Sequence, residues 1–229
     1  MKTLTTFLSL ALLIGFASAQ KRTVDVGSFT ELSLGIPANL YVKQGSNEKV
    51  EIECDDDTFD EIEFDRSGDR LAIRKEGKYN WRSGWRNSEV TIYVTMKEIE
   101  GLSVSGSGNL EGQGTFDVED LDLAVSGSGD LEVAIEGDEL EMRISGSGSI
   151  RLAGTADEAE AKISGSGKVK AEDLTVNIFD ASISGSGSCY ITVEDELEAR
   201  ISGSGSIYYG GNPNRVNSNS SGSGKVRKM

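Results

Sequence analysis

Histidine is absent from all 229 residues, so the commonest general base and neutral metal ligand is missing. That disfavours acyl transfer on a hexapeptide-type left-handed helix, which typically depends on such a base. A serine hydrolase is disfavoured too, since no Gly-x-Ser-x-Gly elbow with a partner base is present. Cysteine occurs only as Cys54 and Cys189, both on the apolar phase of a strand pattern. Buried free thiols and a disulfide joining the two halves both remain open from sequence. Basic residues are few, 23 against 38 acidic, for a net charge of −15. Such a surface repels nucleic acid and anionic membrane.

Only one long apolar run occurs, at 7–16. With Lys2 before it and Ala17, Ser18 and Ala19 after it, residues 1–19 read as a secretory signal peptide cleaved after Ala19. No cysteine lies near that site, which gives no support to a lipid anchor. No later segment approaches the roughly 20 apolar residues of a membrane span. The chain from 20 to 229 is therefore expected to be exported to the periplasm, the cell surface or the medium. Loss of Lys2 with the leader leaves 22 basic against 38 acidic residues and a net charge of −16.

What the chain has in abundance is one tetrapeptide. Ser-Gly-Ser-Gly begins at Ser105, Ser126, Ser145, Ser164, Ser184, Ser202 and Ser221, at spacings of 18 to 21 residues. Just before these motifs apolar residues alternate, as in Leu121, Leu123 and Val125 or Leu140, Met142 and Ile144, which is the period of a strand. Five positions after the first Ser stand Leu110, Leu131, Ile150, Val169, Cys189, Ile207 and Val226, apolar in every copy. At about 3.3 Å per residue one repeat closes a coil of two or three short strands, and coils stack about 4.8 Å apart. The pattern predicts an all-β fold, a β-solenoid of the right-handed parallel β-helix type with Ser-Gly-Ser-Gly corners and a continuous core. Glycines are expected where the chain reverses, and serine hydroxyls are expected to satisfy corner backbone groups or to ladder up the stack.

Residues 20–229 are read as one domain. Its first part, 20–100, lacks the motif but shows strand patterns at 30–34, 39–43, 49–54, 61–65, 71–75 and 89–95, with a turn or single helical turn at 55–60. These strands are expected to form irregular first coils and an N-terminal β cap, and 101–229 the regular repeats. In the last copy Val216, Ser218 and Ser220 replace core residues, and Lys225, Arg227 and Lys228 follow. A polar, charged terminal coil protects an open sheet edge against strand addition.

The chain resembles the head GIN domain family of putative auto-transporter adhesins. The resemblance spans nearly all of 20–229. It rests on 24–34 leading into Ile36-Pro37-Ala38-Asn39-Leu40-Tyr41-Val42-Lys43-Gln44-Gly45, on 90–104 entering the first corner, and on the Gly-Ser-Gly corners. It implies an exported bacterial β-helix, similar to pectin-lyase-type helices but without their catalytic residues, with adhesion as the inferred role.

Two features stand as candidate sites. The stretch 77–87 holds both tryptophans, and Tyr79, Trp81, Arg82, Trp85 and Arg86 are the residue types of binding hot spots and of sugar stacking. The same rings could instead fold down over the first coils with an arginine stacked on them. Four residues before successive motifs' second to sixth copies, or on that outward phase, lie Asp122, Glu141, Glu160, Asp180 and Glu198, with Arg143, Lys162 and Arg200 two positions later. Stacking would make a carboxylate column, either a solvated face crossed by weak ion pairs or a weak divalent-cation site. Asp does not recur directly after the motif, as calcium-binding β-rolls require. No cofactor and no resident metal is expected.

These features favour a non-enzymatic adhesion or interaction scaffold, with a glycan or an envelope or host protein as partner and homo-oligomers left open. A carbohydrate-active enzyme using Asp or Glu on one face is the first alternative. An envelope stress or regulatory component that binds another protein is the second.

Overall fold

The computed structural model describes residues 20–77 and 89–229. The N-terminal part contains β1 (Gln20–Val24), β2 (Glu31–Leu34), β3 (Asn39–Gln44), β4 (Lys49–Cys54), the single-turn helix α1 (Asp56–Phe59), β5 (Ile62–Ser67), β6 (Arg70–Lys75) and β7 (Thr91–Met96). The repeats follow as β8 (Gly101–Gly106), β9 (Asn109–Gly127), β10 (Asp130–Gly146), β11 (Ser149–Gly165), β12 (Lys168–Gly185) and β13 (Ser188–Gly203). The last coils are β14 (Ser206–Gly211), β15 (Arg215–Gly222) and β16 (Lys225–Lys228). All sixteen belong to one sheet, so the molecule is a β-solenoid.

From β8 onward every pairing is parallel, and motif stacks on motif. The expected two or three short strands per coil are instead single strands of 16 to 19 residues in β9 to β13, because the hydrogen-bond ladder continues through the bends. The column Leu110, Leu131, Ile150, Val169, Cys189 and Ile207 is at most 1% exposed. Sizes compensate between coils: Phe179, fully buried, stacks directly on Ala159. Alternation of large and small residues keeps the interior close-packed without changing the spacing of the coils.

The corners show why both glycines are needed. Gly146 has φ +123°, a region closed to side chains, and a Cβ there would lie 2.4 Å from the Gly127 carbonyl oxygen one coil below. A Cβ on Gly148 would lie 2.3 Å from the Gly129 oxygen and 2.6 Å from a Val125 methyl. The gap is filled by backbone bonding: Ser147 N–H donates to the Gly127 oxygen at 2.8 Å, and Gly148 N–H donates to the same oxygen at 3.0 Å. The serines differ from expectation. Both are exposed in each corner, and their hydroxyls bond to no described residue, since the neighbouring backbone already satisfies the amides they were expected to serve.

At the N-terminal end, stack order and chain order differ. β2 lies between β6 and β8, and β3 lies between β7 and β9, so the coil formed by β6 and β7 is the outermost. Antiparallel β4 and β1 close one side of it and antiparallel β5 the other. Helix α1 links β4 to β5, capped by the Asp55 carboxylate, which accepts from Thr58 N–H at 2.8 Å and Thr58 O–H at 2.9 Å. At the other end every residue of β15 is exposed, yet Val216, Ser218 and Ser220 cover Leu197, Ala199 and Ile201, which are at most 3% exposed.

Cys54 and Cys189 are free and buried. Between β4 and β13 lie seven strand-to-strand steps, about 34 Å at about 4.8 Å each. A disulfide needs Cα atoms within roughly 7 Å, so the two cannot pair within one chain. Burial raises both thiols' pKa, with nearby Asp55 adding to it for Cys54, and pushes Cys189 up to about 12.

Two outcomes follow from this packing. Gly148→Ala is expected to lower denaturant-measured stability by about 1–3 kcal/mol or more, whereas Ser147→Ala should stay within about 0.5 kcal/mol of the parent. Thiol titration near neutral pH should count no reactive cysteine in the native protein and two after denaturation. A single reactive native thiol would contradict the burial.

Candidate functional site

Solenoid faces turn sequence offsets into columns. Asp122, Glu141, Glu160, Asp180 and Glu198 do stack in register, and Arg143, Lys162 and Arg200 stand beside them. Arg143 bonds Asp122 at 3.3 Å and also Glu141; Lys162 bonds Glu141 at 3.2 Å and Glu160 at 2.8 Å. Arg200 bonds Asp180 at 2.9 Å and also Glu198. Each base thus sits astride two successive coils. Hydrogen bonds from Glu160 and Glu141 raise the Lys162 pKa, and Asp180 does the same for Arg200. The basic position is Ala124 in the Asp122 coil and Ser182 in the Asp180 coil, and at Ser182 the line of ion pairs is interrupted.

At its N-terminal end this column opens into a groove of about 710 Å³, bordered by Glu31, Glu98, Glu100, Asp117, Asp120 and Glu139 among others. In the same strand, upstream of the groove, β9 carries extra residues: Glu111 pairs with Glu132 but Thr115 pairs with Ala134, leaving a bulge between them. Gln44 pins the bulged strand, donating to the Asp117 carbonyl and accepting from its N–H, both at 2.9 Å. Several of its carboxylates are engaged: Glu98 by Lys97, Glu100 by the Thr30 hydroxyl. Among the described residues no group of three or more His, Cys, Asp and Glu is placed to hold a metal ion.

A second outward column, on the other side of the motif, carries aromatic rungs. Six positions after each motif's first Ser the column reads Glu111, Glu132, Arg151, Lys170, Tyr190, Tyr208 and Arg227. Tyr41 and Tyr93 continue it downward. The rings of Tyr190 and Tyr208 stack at 4.8 Å and 10°, and those of Tyr41 and Tyr93 at 5.5 Å and 20°, with the Lys21 ammonium 4.3 Å from the Tyr93 centroid. Sequence reading passed over Tyr190 and Tyr208, although their shared offset of six from the motif was the signal that places them together, whereas Tyr41 and Tyr93 join the column only through strand pairing. The candidate residues Tyr79, Trp81, Arg82, Trp85 and Arg86 lie outside the described residues.

The model of the family described as "Putative auto-transporter adhesin, head GIN domain" matches residues 28–213. The chain belongs to the head GIN domain family. Solved structures share its fold. A putative adhesin from Bacteroides fragilis is 23% identical with a TM-score of 0.83, over 92% of this chain and 96% of that one. A putative adhesin from Parabacteroides merdae is 24% identical with a TM-score of 0.74, over 94% and 98%. A putative lipid binding protein from Parabacteroides distasonis is 25% identical with a TM-score of 0.73, also over 94% and 98%. No curated protein matches the chain. Among the described residues, no helix of this head GIN chain is long and apolar enough to cross a membrane.

Because the column carboxylates already bind Arg143, Lys162 and Arg200, calorimetric titration with calcium is expected to give no saturable heat from this column. A saturable isotherm that disappears in Asp180→Asn/Glu198→Gln would show that the cation displaces the arginine.

Proposed function

We propose that this head GIN chain is a non-enzymatic, exported scaffold that acts in adhesion by binding an extended partner along its side faces. The observation that carries this reading is the match to an adhesin family on a solenoid whose outward residues form straight columns. An extended glycan or protein strand suits a surface that repeats every coil better than a compact ligand does. The relative described as a putative lipid binding protein raises the question of an apolar ligand. Here Phe116 and Phe179 fill the interior and are fully buried, and the groove beside the carboxylate column is acidic, which favours polar partners at the surface. The leader expected at 1–19 supports export, and Trp81 and Trp85 remain candidates for ligand contact.

A glycan array and a cell-attachment assay with the 20–229 protein, each checked for reducing-sugar or unsaturated products, test this reading. Specific attachment without product is expected. Product release would replace the scaffold with a carbohydrate-active enzyme. Attachment lost in Trp81→Ala/Trp85→Ala would place the contact in the 77–87 stretch; attachment kept would move it to the described faces.

A further inference from the structure

Charge is distributed unevenly along this acidic solenoid. From 199 to 229 the chain carries Arg200, Arg215, Lys225, Arg227 and Lys228 and no acidic residue. Half of the ten bases between 101 and 229 are held by carboxylates, namely Arg143, Arg151, Lys162, Arg200 and Arg215, and Lys228 bonds the Asn212 side-chain oxygen. Lys168, Lys170, Lys225 and Arg227 bind no carboxylate among the described residues, and all four lie on the tyrosine face.

Their arrangement is regular. One outward column reads Lys168, Ser188, Ser206, Lys225, and its neighbour reads Lys170, Tyr190, Tyr208, Arg227. Two pairs of cations are therefore separated by three coil steps, about 14 Å at about 4.8 Å per step. Between them are four hydroxyl-bearing side chains and no charge. Parallel stacking of Tyr190 on Tyr208 fixes both rings, so their phenol hydroxyls are held side by side at small entropic cost.

The borders of the face restrict what can lie there. Asp130 and Glu132 stand at its N-terminal end, with Arg151 held by Glu132, and the exposed Glu172 and Asp173 follow Lys170 after the buried Ala171. A uniformly charged polyanion such as nucleic acid, or a broad anionic sheet, would press its charge against these carboxylates. A thin chain with spaced charges and hydroxyl groups between them would not. We propose that this face binds an acidic oligosaccharide lying along the solenoid axis. One anionic group sits at Lys168 and Lys170, the next at Lys225 and Arg227, and the uncharged sugar stretch bonds to Ser188, Ser206, Tyr190 and Tyr208. The assignment rests on the scaffold reading above and names the ligand class for it.

The test is calorimetry of the 20–229 protein with a hyaluronan octasaccharide, whose carboxylates occupy alternate sugars, against a neutral dextran oligosaccharide and phosphatidylglycerol vesicles. The hyaluronan probe is expected to bind, weaken with salt, and lose about tenfold in affinity in either Lys168→Gln/Lys170→Gln or Lys225→Gln/Arg227→Gln. Arg143→Gln/Lys162→Gln, on a different face, should bind as the parent does. Failure of the acidic probe to bind at low salt, equal binding by both pair variants and the parent, or binding to vesicles alone would overturn the site. Cell attachment that survives in the fourfold variant would likewise overturn this site while leaving the adhesion reading standing. A parent protein that attaches to no glycan and no cell would overturn both.

Discussion

The close approach of one coil's corner to the next is the constraint on which the rest depends. At Gly146 and Gly148 a Cβ would sit 2.4 and 2.3 Å from the carbonyl oxygens beneath, so the backbone ladder can pass through the bend only where side chains are absent. The strands of 16 to 19 residues end at the first glycine of each motif and restart after its second, and in between single backbone bonds, such as Ser147 and Gly148 N–H to the Gly127 oxygen, carry the coil-to-coil ladder across the corner. Everything lateral inherits that register. A residue's distance from Ser-Gly-Ser-Gly decides its column, and whether that column faces the core or the solvent.

Chemistry on this scaffold is consequently collective. A lone exposed carboxylate or lysine has little consequence, but at one offset the side chain recurs every coil at about 4.8 Å. The carboxylate column resolves its own repulsion through Arg143, Lys162 and Arg200, each bonded to two coils at once. The tyrosine face does the reverse, leaving Lys168, Lys170, Lys225 and Arg227 without carboxylate partners among the described residues, around a fixed pair of rings. One face closes on itself electrostatically, and the other presents charge to a partner.

The repeat made the solenoid legible because period and offset are both written in the chain. The strand at 49–54 could likewise be placed from alternation, and 55–60 as a turn or single helical turn, which the structure resolves as a helical turn capped by Asp55. Stack order at the N-terminus could not. That β2 and β3 slip between β6–β7 and β8–β9 is decided by long-range pairing and leaves no mark on local pattern. The carboxylate column was legible, whereas its double ion pairs depended on which oxygen each guanidinium reaches. Tyr190 and Tyr208 were visible as letters, but their importance emerges only when the unpaired bases on either side are seen to share their face.

Amide hydrogen exchange resolved at the corners tests the account most directly. If the ladder passes through the bends, the amides of Ser147, Ser166, Ser186 and Ser204, which donate to glycine oxygens of the preceding coil at 2.8 Å, should exchange as slowly as those of core positions such as Ile150 and Val169. Fast exchange at these exposed serines beside slow strand interiors would contradict it. The corners would then be ordinary loops, and the register that aligns the side faces would lose its physical basis.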